Sequence, residues 1–157
     1  MQLSSRTDIE APIDFVFAAL SDFEAWERAA MRRGADVSRT DKLRAPGIGM
    51  GWHVIFRFRG KERMIDIRLT ALEPDAKLGF SGKGRMVEGD MSIELVSLTP
   101  KRTRMVLHTH VRPLTIAARL FLQSMKLAKG RVQGKLNKRL QDLALDLETR
   151  FTASRRR

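Results

Sequence analysis

From Phe121 onward, apolar residues fall three or four positions apart without a break: Phe121, Met125, Ala128, Val132, Leu136, Leu140, Leu143, Leu147 and Phe151. That spacing puts successive side chains on one face of a helix. Held over 31 residues with no proline inside, it predicts one long helix with a single apolar stripe. Such a stripe has to be buried against another element, and the preceding residues supply one. Trp52, Val54, Phe56 and Phe58 alternate with His53, Ile55, Arg57 and Arg59, and Ile65, Ile67 and Leu69 alternate with Met64, Asp66 and Arg68. Leu78 and Phe80 form a shorter stretch of the same kind, followed by Val87, Met91, Ile93 and Leu95, and then by Met105, Leu107, Thr109 and Val111. A period of two belongs to half-buried strands, and connections as short as Gly60-Lys61 and Thr99-Pro100 favour an antiparallel meander.

The N-terminal part reads as a strand over Gln2 to Ile9 and then two short helices. Pro12 opens the first, which carries Phe15, Val16, Ala19 and Leu20. Ser21-Asp22 breaks it and caps the second, which places Phe23, Trp26 and Ala30 on one face and ends at Arg33-Gly34. The expected class is α+β. At 157 residues the chain makes one domain able to bury about two thirds of its unfolded surface, with boundaries at 1–151 and a basic tail, 152–157, expected to be disordered.

Charge is divided unevenly. Residues 1–100 hold 15 Lys and Arg against 15 Asp and Glu, whereas residues 101–157 hold 15 against 3, which accounts for the whole formal charge of +12. No acid occurs from Pro113 to Gln141. A neutral body with a cationic helix and a terminal Arg155-Arg156-Arg157 suits an anionic partner: phospholipid, nucleic acid or an acidic protein face. The alternative is a solvated helix surface. The membrane reading uses Lys126, Lys129, Arg131, Lys135 and Lys138; nucleic acid is disfavoured because few aromatics interleave with the cations. Asp8, Glu10 and Asp14 fall where a signal peptide needs an unbroken apolar run, and no run approaches the ~18 residues of a membrane span. The expected location is therefore cytoplasmic, or peripheral at a membrane.

The reactive residues are sparse. The absence of cysteine excludes disulfides and thiolate chemistry. His108 and His110 share a strand face with Arg104, opposite Met105 and Leu107, and lack a nearby third ligand, so they read as surface and no metal is expected. No nucleophile elbow and no tyrosine occur. If a reaction takes place, Arg68 or Arg139 would stabilise an oxyanion and Asp66 would act as base. The glycines of "PGIGMG" neither follow a strand nor open a helix, so they do not form a phosphate loop. Gly130 and Gly134 interrupt the long helix and imply either a bend or something packed on bare backbone. Arg139, beside the stripe, either carries its head into water or points inward to anchor a ligand anion.

The order of elements matches the helix-grip fold, and the sequence resembles the SRPBCC (START/Bet v 1-like) superfamily, especially its polyketide cyclase/dehydrase-like branch. The resemblance rests on "IEAPIDFVFAALSDFEAWERAA" at 9–30, "PGIGMGW" at 46–52, "ALEPDAKLGF" at 71–80 and "LTPKRTRMVLHTHV" at 98–111. It implies a curved antiparallel sheet wrapped around the C-terminal helix, a glycine loop at the mouth, and an apolar cavity between sheet and helix. Trp52, Phe56, Phe58, Phe80, Met91, Leu107, Phe121 and Met125 would line that cavity, with Arg139 as anchor. The implied function is binding or carriage of a small hydrophobic ligand, neutral or anionic, with no cofactor. The alternatives are a cyclase/dehydratase-type enzyme on a polyketide-like substrate and a ribosome- or nucleic-acid-associated protein using the basic helix.

Overall fold

The computed structural model describes residues 1–156. The elements follow in the order β1 (Gln2–Ile9), α1 (Ile13–Leu20), α2 (Phe23–Arg32), β2 (Asp36–Arg39), β3 (Gly51–Phe58), β4 (Lys61–Glu73), β5 (Lys77–Gly84), β6 (Val87–Thr99), β7 (Arg102–Pro113), α3 (Ile116–Leu127) and α4 (Lys129–Arg155). The strands make one seven-stranded sheet in the order β1-β7-β6-β5-β4-β3-β2, antiparallel throughout. Bulges between Leu69 and Ala71 and between Ser97 and Thr99 add an unpaired residue and bend the long strands, which helps the sheet to curl. This is the helix-grip arrangement.

Local chemistry explains the boundaries. Pro12 sits in extended conformation just before α1, and the Asp22 side chain accepts from the Ala25 N–H to cap α2. The Thr115 side chain does the same for Ala118 at the start of α3. Between β3 and β4 the chain reverses through Arg59 and Gly60, both at positive φ (54° and 76°), as a tight hairpin between right-twisted strands requires.

The core gathers on the inner face of the sheet and under α4. Ile9, Val16, Leu69, Leu78, Met105 and Leu147 are fully buried, and Phe15 meets Phe151 edge-on at 5.1 Å between centroids. Helix α4 covers the edge strand β1, which would otherwise present unpaired backbone. Polar contacts fix it there. Ser5 Oγ donates to Asn137 Oδ1 at 2.6 Å, Gln133 Nε2 donates to the Ser4 carbonyl at 2.7 Å, and the Glu10 N–H donates to Glu148 Oε1 at 3.0 Å.

Two expectations are corrected. The C-terminal helix is two helices, because Ala128 leaves helical geometry (φ −103°, ψ 26°) and separates α3, which packs on β7, from α4, which packs on β1. Gly130 and Gly134 follow that break. A Cβ at either would meet nothing within 4 Å, so no other part of the chain packs on their backbone, and α4 continues as helix through both. The tail expected to be disordered from residue 152 is helical through Arg155; Arg157 lies outside the described residues. The short edge strand β2 was not anticipated.

Candidate ligand-binding site

The register places the expected lining residues on one face. Phe80 lies opposite Leu69 on one side and Met91 on the other, Met91 lies opposite Thr109, and Leu107 lies opposite Ile93 and Ser5. Cross-strand partners share a face, and alternation along β3 puts Trp52, Phe56 and Phe58 on that same inner side. The residues differ in what covers them. Trp52 and Leu107 are core: the indole packs on Phe23 and Phe80 at 5.5 and 6.5 Å, and its Nε1 donates to Glu27 at 3.2 Å. Phe56, Phe80, Phe121 and Met125 are half-buried, and Phe58 is exposed. Met91, in the middle of the sheet, keeps 36% of its surface accessible, so neither α3 nor α4 seals the inner face over β6.

The floor next to Met91 is low. Gly82 and Gly89 pair across β5 and β6 on the inner face, and a Cβ at Gly89 would collide with the His110 carbonyl. Only glycine fits there.

One charged side chain was missed from the sequence. Arg63 precedes Ile65 by two positions and is paired with Phe56, so it belongs to the inner face. Its Nε is buried without a hydrogen-bond partner among the described residues, and its Nη1 reaches only the Met86 sulfur at 3.2 Å. A thioether is a weak acceptor, so the guanidinium is left short of the carboxylates or carbonyls that normally satisfy it. The signal was parity: Arg63 is in phase with Ile65, Ile67 and Leu69. The inward strand positions carry no carboxylate and no imidazole among the described residues.

Helix α3 and the β3–β4 hairpin meet at one end of this face. Phe58 touches Phe121 edge-on at 6.5 Å, and the Arg59 guanidinium lies 4.7 Å over the Phe121 ring. The glycine loop after β2 is tied down by Asp41, which accepts from Arg39 at 2.6 and 2.8 Å and from the N–H groups of Gly51 and Leu43 at 2.9 Å. The Arg39 hydrogen bond, followed by that of Gly51, holds the Asp41 carboxyl well below the usual carboxylate range.

Other sequence-derived candidates lie elsewhere. Arg139 is exposed, one residue before buried Leu140 and so about 100° round the helix from it. This exposure agrees with the reading in which its side chain runs to water rather than inward. Asp66 and Arg68 are exposed and out of phase with Ile65 and Ile67, so they face away from the inner side, and Asp66 Oδ1 lies 2.7 Å from His53 Nδ1. His108 and His110 face outward, with His110 Nδ1 3.3 Å from Arg112 Nη1. Two clefts have volumes of about 360 and 730 Å³; the smaller is lined mostly by outward positions, and the larger by Ser4, Gly79, Ser92, His108 and His110 of the outer side together with Leu3, Phe80, Met91 and Thr109 of the inner face. Among the described residues no helix is long and apolar enough to cross a membrane.

Comparison with known proteins agrees with the fold. The sequence matches the family described as polyketide cyclase / dehydrase and lipid transport over residues 1–148. No curated protein matches it. The fold is similar to the Zhui aromatase/cyclase from Streptomyces sp. R1128, with TM-score 0.69 at 14% identity over 96% of this chain and 94% of that one. It is similar to TTHA0849 from Thermus thermophilus, with TM-score 0.67 at 15% identity over 98% and 99%. It is also similar to a START superfamily protein from Mycobacterium smegmatis, with TM-score 0.59 at 14% identity over 90% and 98%. At such identities the likeness is one of fold. Together, the curled antiparallel sheet, the C-terminal helix gripped against it and a sequence match over nearly the whole chain assign it to the polyketide cyclase / dehydrase and lipid transport family.

Proposed function

We propose that this protein binds a small apolar molecule with an anionic head on the inner face of the sheet, beneath α3. The observation that carries the reading is Arg63, an inward guanidinium whose Nε has no partner among the described residues. Such a group is costly to keep in the free protein and ready to receive a carboxylate or phosphate. The half-buried Phe56, Phe80, Phe121 and Met125 and the accessible Met91 would take the apolar body. Binding is favoured over catalysis because a cyclisation or dehydration needs a proton acceptor, and the inward strand positions offer neither carboxylate nor imidazole. Arg139 and the outward pair Asp66 and Arg68 play no part.

Trp52 reports on this site through Phe80. In a Trp26→Phe background, which removes the exposed second indole, decanoate is expected to change the fluorescence of Trp52 saturably. Decanol, equal in chain length but uncharged, is expected to do so only at higher concentration. A flat titration with both would mean that the inner face is closed and the reading wrong.

A further inference from the structure

Helix α3 is apolar on both sides. Its inner side buries Ala118 and Leu122, yet Ile116, Leu120 and Leu127 are 79%, 60% and 92% exposed. At 100° per residue these three fall within about 40° of one another, so they form one outward row rather than scattered apolar residues. Arg119 and Lys126 flank the row, and Lys129 and Arg131 follow on the first turn of α4, all of them exposed. No acid occurs between Pro113 and Gln141 to offset them.

We propose that this outward face of α3 docks on an anionic lipid surface, with Ile116, Leu120 and Leu127 in the acyl boundary and the flanking cations at the headgroups. The charge decides the occupant. A second copy would cover the apolar row but set two cationic surfaces against each other, whereas an anionic bilayer satisfies both the row and the charge. This goes beyond a purely electrostatic contact of the basic helix, because it assigns the leucines as well as the lysines. It stands independently of the ligand reading, although Phe121 and Met125 on the other side of the same helix would bring that site to the membrane.

The test is co-sedimentation of the full chain with vesicles of phosphatidylcholine containing phosphatidylglycerol, and with vesicles of phosphatidylcholine alone. Binding is expected on the anionic vesicles only, weakening as salt rises. The double variant Leu120→Ser, Leu127→Ser keeps every charge and, because both side chains are exposed, should keep the melting temperature. Its vesicle affinity is expected to fall about tenfold or more. Lys126→Gln with Lys129→Gln should lose binding together with its salt dependence. Undiminished binding by the serine variant would overturn the proposal, as would RNA binding without vesicle binding, or a dimer in solution that the serine variant dissolves. Decanoate binding is read separately, so failure here leaves that reading standing.

Discussion

Replacing Leu147 with alanine is expected to cost about 2–5 kcal/mol, the range for large-to-small changes at fully buried sites. Leu147 is wholly buried, and it lies on the α4 face that packs with Ile9, Leu69, Leu78 and Met105 in one cluster. Its removal takes apolar area from that cluster and leaves a cavity that residues on both helix and sheet cannot fill together. Domains of this size are typically stable by only about 5–15 kcal/mol, so the loss is a large share of the total. Leu145, two residues earlier on the same helix, is 61% exposed, and Leu145→Ala should change stability by less than about 0.5 kcal/mol. Urea unfolding followed by circular dichroism measures both. Equal effects at the two positions would mean that α4 does not grip the sheet through this stripe.

The second large effect is on binding. Arg63→Met deletes the inward charge and keeps length and apolar bulk beside Phe56 and Met86. A buried polar group without a partner costs about 1–3 kcal/mol, so stability without ligand should hold or rise. Affinity for decanoate should fall about tenfold, equivalent to about 1.4 kcal/mol, while affinity for decanol should not change. The two readouts separate roles. If Arg63 were a structural residue held by Met86, the variant would melt earlier and the two ligands would be affected alike.

The contrast between Arg63 and Arg139 shows how far the site was legible. The two-residue period identified the inner face, and six of the strand residues singled out for it share that face: Trp52, Phe56, Phe58, Phe80, Met91 and Leu107. Arg63 obeyed the same period but stood next to the Gly60-Lys61 turn, where alternation is easily taken to have stopped. Arg139 flanks a helix stripe, which suggests an anchor, yet a residue about 100° from the buried line has a short path to water, and Arg139 is exposed. Periodicity gives facing but not cover: Trp52 and Met91 look alike in sequence, and the placement of α2, whose Phe23 and Glu27 meet the indole, makes Trp52 core while Met91 stays accessible. The break at Ala128 was hidden for a related reason. Met125, Ala128 and Val132 keep helical spacing across it, so the stripe carries no mark of the change in direction. Strand β2, four residues with Val37 as its one large apolar side chain, offered no period to read.

The measurement nearest to the central claim is a crystal structure of the protein with decanoate bound. The carboxylate is expected at about 3 Å from the Arg63 guanidinium, with Nε donating, as charge-assisted hydrogen bonds require. The alkyl chain should run over Met91 and Phe80 beneath α3. Decanoate with its carboxylate instead beside His108 and His110, and Arg63 still unpartnered, would contradict the account.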